Sequence, residues 1–165
     1  MLKNKTVCFS GHRKLNSAEA EFVYNTLLRV IEELIKAGYI YYGSGGALGF
    51  DTVAAYAVLK LKEKYPYIKL ILVLPCRSQT AFWQRKDQKS YESLKKRADK
   101  IVYTENLYCN GCMQKRNRHL VENSSVLVCY LKKSSGGTAY TVRYAKEKGL
   151  KIINVAHSCL SILKS

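Results

Sequence analysis

A chain of 165 residues with 47% hydrophobic content is the size of one globular domain, 1–165, with its own core, and that composition excludes a disordered or low-complexity polypeptide. The 28 basic residues against 12 acidic ones leave a formal charge of +16, which points to anionic partners, nucleotides and nucleic acid among them, without choosing between them. Apolar runs such as 68–75 are too short to span a bilayer, and residues 1–5 lead straight into a strand pattern rather than a signal-peptide core, so the expectation is a cytoplasmic protein with no membrane partner.

In chain order, 5–10 reads as a buried strand, followed by a helix over 17–37 whose apolar face includes Val23, Leu27, Val30, Ile31 and Leu34. Asn16 with Glu19 supplies the start signal and Gly38 the stop. A second strand is predicted over 39–42 and a second helix over 52–64, ended by Pro66. The near-continuous apolar run 68–74 has the character of a strand covered on both faces. Further elements are a polar helix over 83–98, a strand over 100–104, a helix over 111–122, a strand over 125–130, a helix over 138–148 and a strand over 151–155. This alternation predicts an α/β fold: a Rossmann-like three-layer sandwich with a mainly parallel sheet covered by helices on both faces. The six cysteines (Cys8, Cys76, Cys109, Cys112, Cys129 and Cys159) lie mostly in strand-like runs, where a thiol behaves as a small hydrophobe, and do not read as a disulfide framework.

Ligands of such sheets bind beyond the carboxyl ends of the strands, which singles out the turns at 10–13, 43–51, 75–77, 105–118 and 132–138. The cluster Gly43, Ser44, Gly45, Gly46 and Gly49 stands between a strand and a helix, where backbone N–H groups and a helix dipole hold phosphate. It matches neither the dinucleotide fingerprint nor the P-loop nor the nucleophile elbow, and so reads as a general anion cradle with Asp51 at the helix start. Gly136, Gly137 and Thr138 repeat the strand–glycine–helix arrangement, so the two loops are expected to grip one ligand. Ser10, Gly11, His12 and Arg13 end the first strand, with Arg13 suited to bidentate contact with phosphate and His12 to proton transfer. Arg116 and Asn117 start near the same edge and are candidates for contact with phosphate or ribose. Arg77 and Trp83 form a looser set, Trp83 being either a base-stacking platform or a core cover. Cys109 and Cys112 have metal-knuckle spacing with His119 downstream, yet a fourth ligand is missing, and the run reads as a loop entering a helix; no metal is expected and no cofactor is required.

Taken together, the segments 8–13, 45–51, 116–121 and 136–145 resemble the YpsA-like family of the SLOG superfamily, which also holds DNA-processing protein A and the LOG or "lysine decarboxylase-like" phosphoribohydrolases. The resemblance implies a Rossmann-like fold that carries a nucleotide or nucleotide-derived ligand over the glycine loops. It also sets a limit on chemistry. Where the phosphoribohydrolase signature has its catalytic glutamate, this chain has Thr141, and Ser135 stands in place of the signature's proline. The leading expectation is therefore a sensor or regulatory binding module. A hydrolase of nucleoside phosphates or nucleotide sugars using Asp51 with His12 is the enzymatic alternative, and single-stranded nucleic-acid binding the third; a homo-oligomer is compatible with all three.

Overall fold

A computed structural model describes residues 2–157; of the six cysteines, Cys159 lies outside these residues. After a short 3-10 turn at Lys3–Lys5 the chain alternates strands and helices: β1 (Thr6–Gly11), α1 (Ser17–Lys36), β2 (Tyr41–Ser44), α2 (Phe50–Lys64), β3 (Lys69–Leu74), α3 (Arg85–Arg97), β4 (Lys100–Tyr103), α4 (Cys112–Glu122), β5 (Val126–Tyr130), α5 (Gly137–Glu147) and β6 (Lys151–Asn154). All strand pairs are parallel, and the sheet order is β4-β3-β2-β1-β5-β6.

The period-two alternation of the strands divides the core into two layers. Val7 and Phe9 of β1, Leu70, Leu72 and Leu74 of β3, and Val126 and Val128 of β5 face α1, α2 and α3, sharing one cluster with Leu27, Ile31, Val58 and Leu94. Cys8, Ile71, Val73, Leu127 and Cys129 point the other way, onto Leu120 and Val121 of α4 and Val142 and Ala145 of α5. Helices therefore cover both faces, as the strand–helix alternation predicts. The first three helices share a face because β1 to β4 step outward in one direction; α4 crosses back over the sheet to deliver β5 to the other side of β1. The connections after β1 and β5 consequently leave in opposite directions, and the crevice between them is the topological switch point of the sheet.

The boundaries agree with the sequence expectation to within one residue except in β2, which runs Tyr41–Ser44 instead of over 39–42, and at the starts of α2 and α3. Strand β2 continues through Gly43 and Ser44, paired with Cys8 of β1 and with Ile71 and Leu72 of β3, so the first two residues of the expected loop are sheet. Parallel pairing on both sides overrides the poor strand propensity of glycine here, and Gly43 faces Leu120 so closely that a Cβ would lie 2.9 Å from its Cδ2. Helix α2 starts at Phe50 rather than at 52, and α3 at Arg85 rather than at 83, because Thr80 to Trp83 close a turn in which the Trp83 N–H donates to the Thr80 carbonyl at 3.0 Å.

Candidate functional site

The switch point holds a cleft of about 550 Å³. Its walls are the end of β1 (Ser10 to Arg13), the first turns of α4 and α5 with the loops before them, and Ala47 and Asp51 from the start of α2. Of the residues singled out in sequence, Ser10, Gly11, His12, Arg13, Asp51, Arg116, Asn117, Gly136, Gly137 and Thr138 meet here. Gly43, Ser44, Gly45, Gly46 and Gly49 do not line it, and neither do Arg77 and Trp83. Ala47, Tyr108, Lys133 and Gln114 line it without having been singled out, although Tyr108, Gln114 and Lys133 fall within the turns 105–118 and 132–138.

The positive character of the cleft comes first from backbone. All five helices begin at this edge, and each has four N–H groups without an intrahelical partner. At α1 the Asn16 side chain accepts from the Glu19 N–H at 2.8 Å, and α2 and α3 carry Asp51 and Asp87 in their first turns. Helices α4 and α5 have neither a capping side chain nor an acidic residue in the first turn. These two open on the cleft. Arg13 adds an exposed guanidinium that takes part in none of the ion pairs among the described residues, and Lys133 adds a second cation.

Beneath this lies a buried polar centre. Asp51 and Arg116 are 7% and 2% exposed. Arg116 Nη1 donates to the Gly45 carbonyl, which also accepts from Gln79 Nε2 at 3.4 Å, and Arg116 Nε donates to Asn117 Oδ1 at 2.8 Å. Asp51 Oδ2 accepts from the Ala47 N–H at 3.3 Å, and the Ser44 hydroxyl donates to the Asp51 carbonyl at 2.9 Å. Burial pushes the Asp51 carboxyl above the usual range, opposed by the charge of Arg116, the Ala47 N–H and the charge of Arg13. Burial also works against the Arg116 cation, opposed by Asp51. Arginine keeps its proton in proteins, so the guanidinium is the fixed charge and the carboxyl the adjustable one.

The two glycine loops differ in what occupies the space of the missing side chain. A Cβ on Gly45 would lie 2.3 Å from Arg116 Nη1 and 2.8 Å from Asp51 Oδ2; on Gly46, 2.8 Å from Leu74 Cδ2; on Gly49, 2.4 Å from the Arg13 carbonyl oxygen. Gly11 is filled by the Phe50 ring at 2.3 Å. Around Gly136 and Gly137 no atom lies within 4 Å of such a Cβ. The first loop is thus packed against the chain itself and the second is open to the cleft. His12 is committed as well: its Nε2 accepts from the Lys132 N–H at 3.0 Å and ties the β5–α5 loop to the end of β1. Burial and the charges of Lys133 and Lys132 pull its pKa down against the opposing pull of Glu19, which favours the neutral imidazole this bond requires. Arg77 stacks over the Tyr103 ring at 4.3 Å and bonds Asn106, and Trp83 packs edge-on against Tyr91 at 5.5 Å at the margin of the core. Among the described residues no group of three or more His, Cys, Asp or Glu side chains is placed to hold a metal ion, and no helix is long and apolar enough to cross a membrane.

A family model, YpsA, described as the YspA SLOG family, matches residues 9–160. The chain belongs to this SLOG family. Among its relatives is the uncharacterized SPbeta prophage-derived protein YoqJ of Bacillus subtilis, 34% identical over 134 residues, covering 73% of this chain and 78% of that protein. A UPF0398 protein of Halalkalibacterium halodurans is 31% identical over 118 residues, 70% of this chain and 62% of the relative. Among solved structures, DNA processing protein A from Helicobacter pylori, described for its single-stranded DNA binding mode, superposes with a TM-score of 0.64 at 20% identity, over 91% of this chain and 64% of the other. The chain thus spans a little under two thirds of these last two proteins. The structural likeness establishes the Rossmann-like fold.

Proposed function

We propose that the cleft binds a nucleotide or nucleotide-derived ligand, as a binding module rather than a fast catalyst. Its phosphate is held by the N–H groups opening α4 and α5 and neutralised by Arg13, while Asp51 on the floor offers its carboxyl to a ribose hydroxyl. One observation carries this reading: of the three helices whose starts line the cleft, α4 and α5 have neither a capping side chain nor an acidic first turn, while α2 contributes Asp51. The cleft volume of about 550 Å³ suits a small ligand. Binding is favoured over hydrolysis by Asp51 with His12 because His12 Nε2 is already occupied by the Lys132 N–H. Thermal-shift titration with AMP, ADP-ribose and NAD tests the proposal. A ligand present at ~100 times its Kd adds about 2.7 kcal/mol of stability, readily seen as a raised Tm; a folded protein that none of the three stabilises contradicts it.

A second reading, single-stranded nucleic acid over the same edge, draws on the +16 charge and on the DNA binding described for DNA processing protein A. It predicts a linear fall of log affinity for an oligonucleotide with log salt. Affinity unchanged by salt removes it while leaving the nucleotide reading intact.

A further inference from the structure

Cys109 and Cys112 fall outside the ligand-binding role given to the rest of the cleft wall. Residues 109–112 form a tight turn in which the Cys112 N–H donates to the Cys109 carbonyl at 3.2 Å. Gly111, at φ 79° and ψ 7°, has the conformation that the third residue of a type II turn demands, one that glycine adopts freely. Such a turn brings its first and last Cα atoms within about 7 Å, and a disulfide needs a Cα separation of about 4.4–6.8 Å. Cys109 is exposed in the loop and Cys112, the first residue of α4, is 1% exposed, so one thiol meets solvent and its partner waits behind it. Both line the cleft.

We propose that Cys109 and Cys112 are a reversible disulfide site, closed by exchange with a low-molecular-weight disulfide that enters from the cleft. The Cys109 thiolate attacks one sulfur of the incoming disulfide and expels the first small thiol, leaving a mixed disulfide. Cys112 then gives up its proton to water and attacks the Cys109 sulfur, expelling the second small thiol. Two protein thiols are oxidised to one disulfide, and the small disulfide takes up the two electrons as two thiols.

The remaining cysteines in the described residues do not compete. Cys8, Cys76 and Cys129 are fully buried, and burial pushes the thiols of Cys8 and Cys129 up to about 12. Desolvation, the adjacent Cys112 and the charge of Glu105 also raise the Cys109 thiol, which lowers its thiolate fraction and makes the exchange slow at neutral pH and faster as pH rises.

The test uses the full chain carrying Cys159→Ser, reduced, freed of reductant and exposed to oxidised glutathione, then read by intact mass and peptide mapping. The expected product has lost two hydrogens, carries a Cys109–Cys112 link and returns to the dithiol with dithiothreitol. With Cys112→Ser glutathione stays on Cys109, and with Gly111→Ala its release slows by about tenfold, since an L side chain disfavours the turn. Because Cys112 is buried and its variant can fail to fold, mapping of the Cys159→Ser protein decides by itself. A lasting glutathione adduct on Cys109 there, or unreacted Cys109 in protein with a normal melting transition, overturns the proposal. Neither outcome bears on nucleotide binding.

Discussion

Alanine placed at one glycine in each loop tests whether the two loops do different work. Gly49 adopts φ 75° and ψ −122°, and its missing Cβ would stand 2.4 Å from the Arg13 carbonyl oxygen and 2.6 Å from that of His12. Alanine there carries backbone strain of about 1–3 kcal/mol. Separating the new methyl from two backbone carbonyls shifts α2 against the end of β1, as in other overpacked sites, at about 1–3 kcal/mol more. The Phe50 N–H bond to the His12 carbonyl at 3.1 Å lies in the path of that shift. Gly49→Ala is therefore expected to lose about 4 kcal/mol, or roughly 12 °C in Tm for a chain of this length. Gly137 opens α5 with negative φ and no neighbour within 4 Å of its Cβ position. Gly137→Ala is expected to gain about 0.5 kcal/mol through the unfolded chain, while its methyl narrows the space above the α5 N–H groups and weakens ligand binding by about tenfold, roughly 1.4 kcal/mol. Urea denaturation of both variants, with a ligand titration of the second, supplies the measurements. A Gly49→Ala protein within about 1 kcal/mol of the parent, or a Gly137→Ala protein clearly less stable than it, refutes the division of labour.

Three further substitutions probe the charges. Arg13→Ala should leave the urea midpoint unchanged, because the exposed guanidinium has no ion-pair partner among the described residues, and should weaken binding of an anionic ligand by about 10- to 100-fold, the range for one charge-assisted hydrogen bond; a large loss of stability contradicts this placement. Arg116→Met strands a buried carboxylate and should cost about 3–5 kcal/mol, with Asp51→Asn in the same chain restoring much of it; additive effects in that double-mutant cycle exclude coupling between groups that a shared approach to Gly45 keeps within ~5 Å of each other. His12 has a folded pKa below its unfolded one, so the unfolded chain takes up the proton first on acidification. Its contribution to stability is complete above the ordinary histidine value of about 6.5 and is lost as pH falls through the lower folded value. His12→Gln keeps an acceptor for the Lys132 N–H without titrating, and should therefore lose less stability than the parent between about pH 7 and about pH 5; equal losses in the two proteins remove His12 as the source.

Every strand and helix could be read from the sequence because each carries its own period: the continuous apolar run of β3 and the Val23, Leu27, Ile31 stripe of α1 are local signals that tertiary packing reinforces. The sheet edge followed from the same alternation, and with it the meeting of Arg13, Asp51, Arg116 and Gly136. What the glycines do was not legible in that way. Gly43 to Gly49 and Gly136 to Gly137 look alike as strings, yet the side chain that fills the space beside Gly45 comes from Arg116, 71 residues away. A missing Cβ records that something approaches closely without recording what. The same holds for Trp83, whose ring finds Tyr91 of α3 rather than the cleft.

The helix starts, by contrast, are written locally. Asn16 caps α1, and Asp51 and Asp87 place a carboxylate in the first turns of α2 and α3. A side-chain cap occupies an N–H group that an incoming phosphate uses, and a carboxylate in the first turn offsets the helix dipole. Helices that lack both keep N–H groups and dipole for a ligand. By that reasoning the absence of any cap or acid at Gly111-Cys112 and at Gly136-Gly137 points to the anion site more directly than the glycine count of the 43–51 loop does. Asp51 also takes on a different meaning: it completes the buried centre with Arg116 and places a carboxyl in the first turn of α2, which on the proposed reading leaves the open pair of helices, α4 and α5, to take the phosphate.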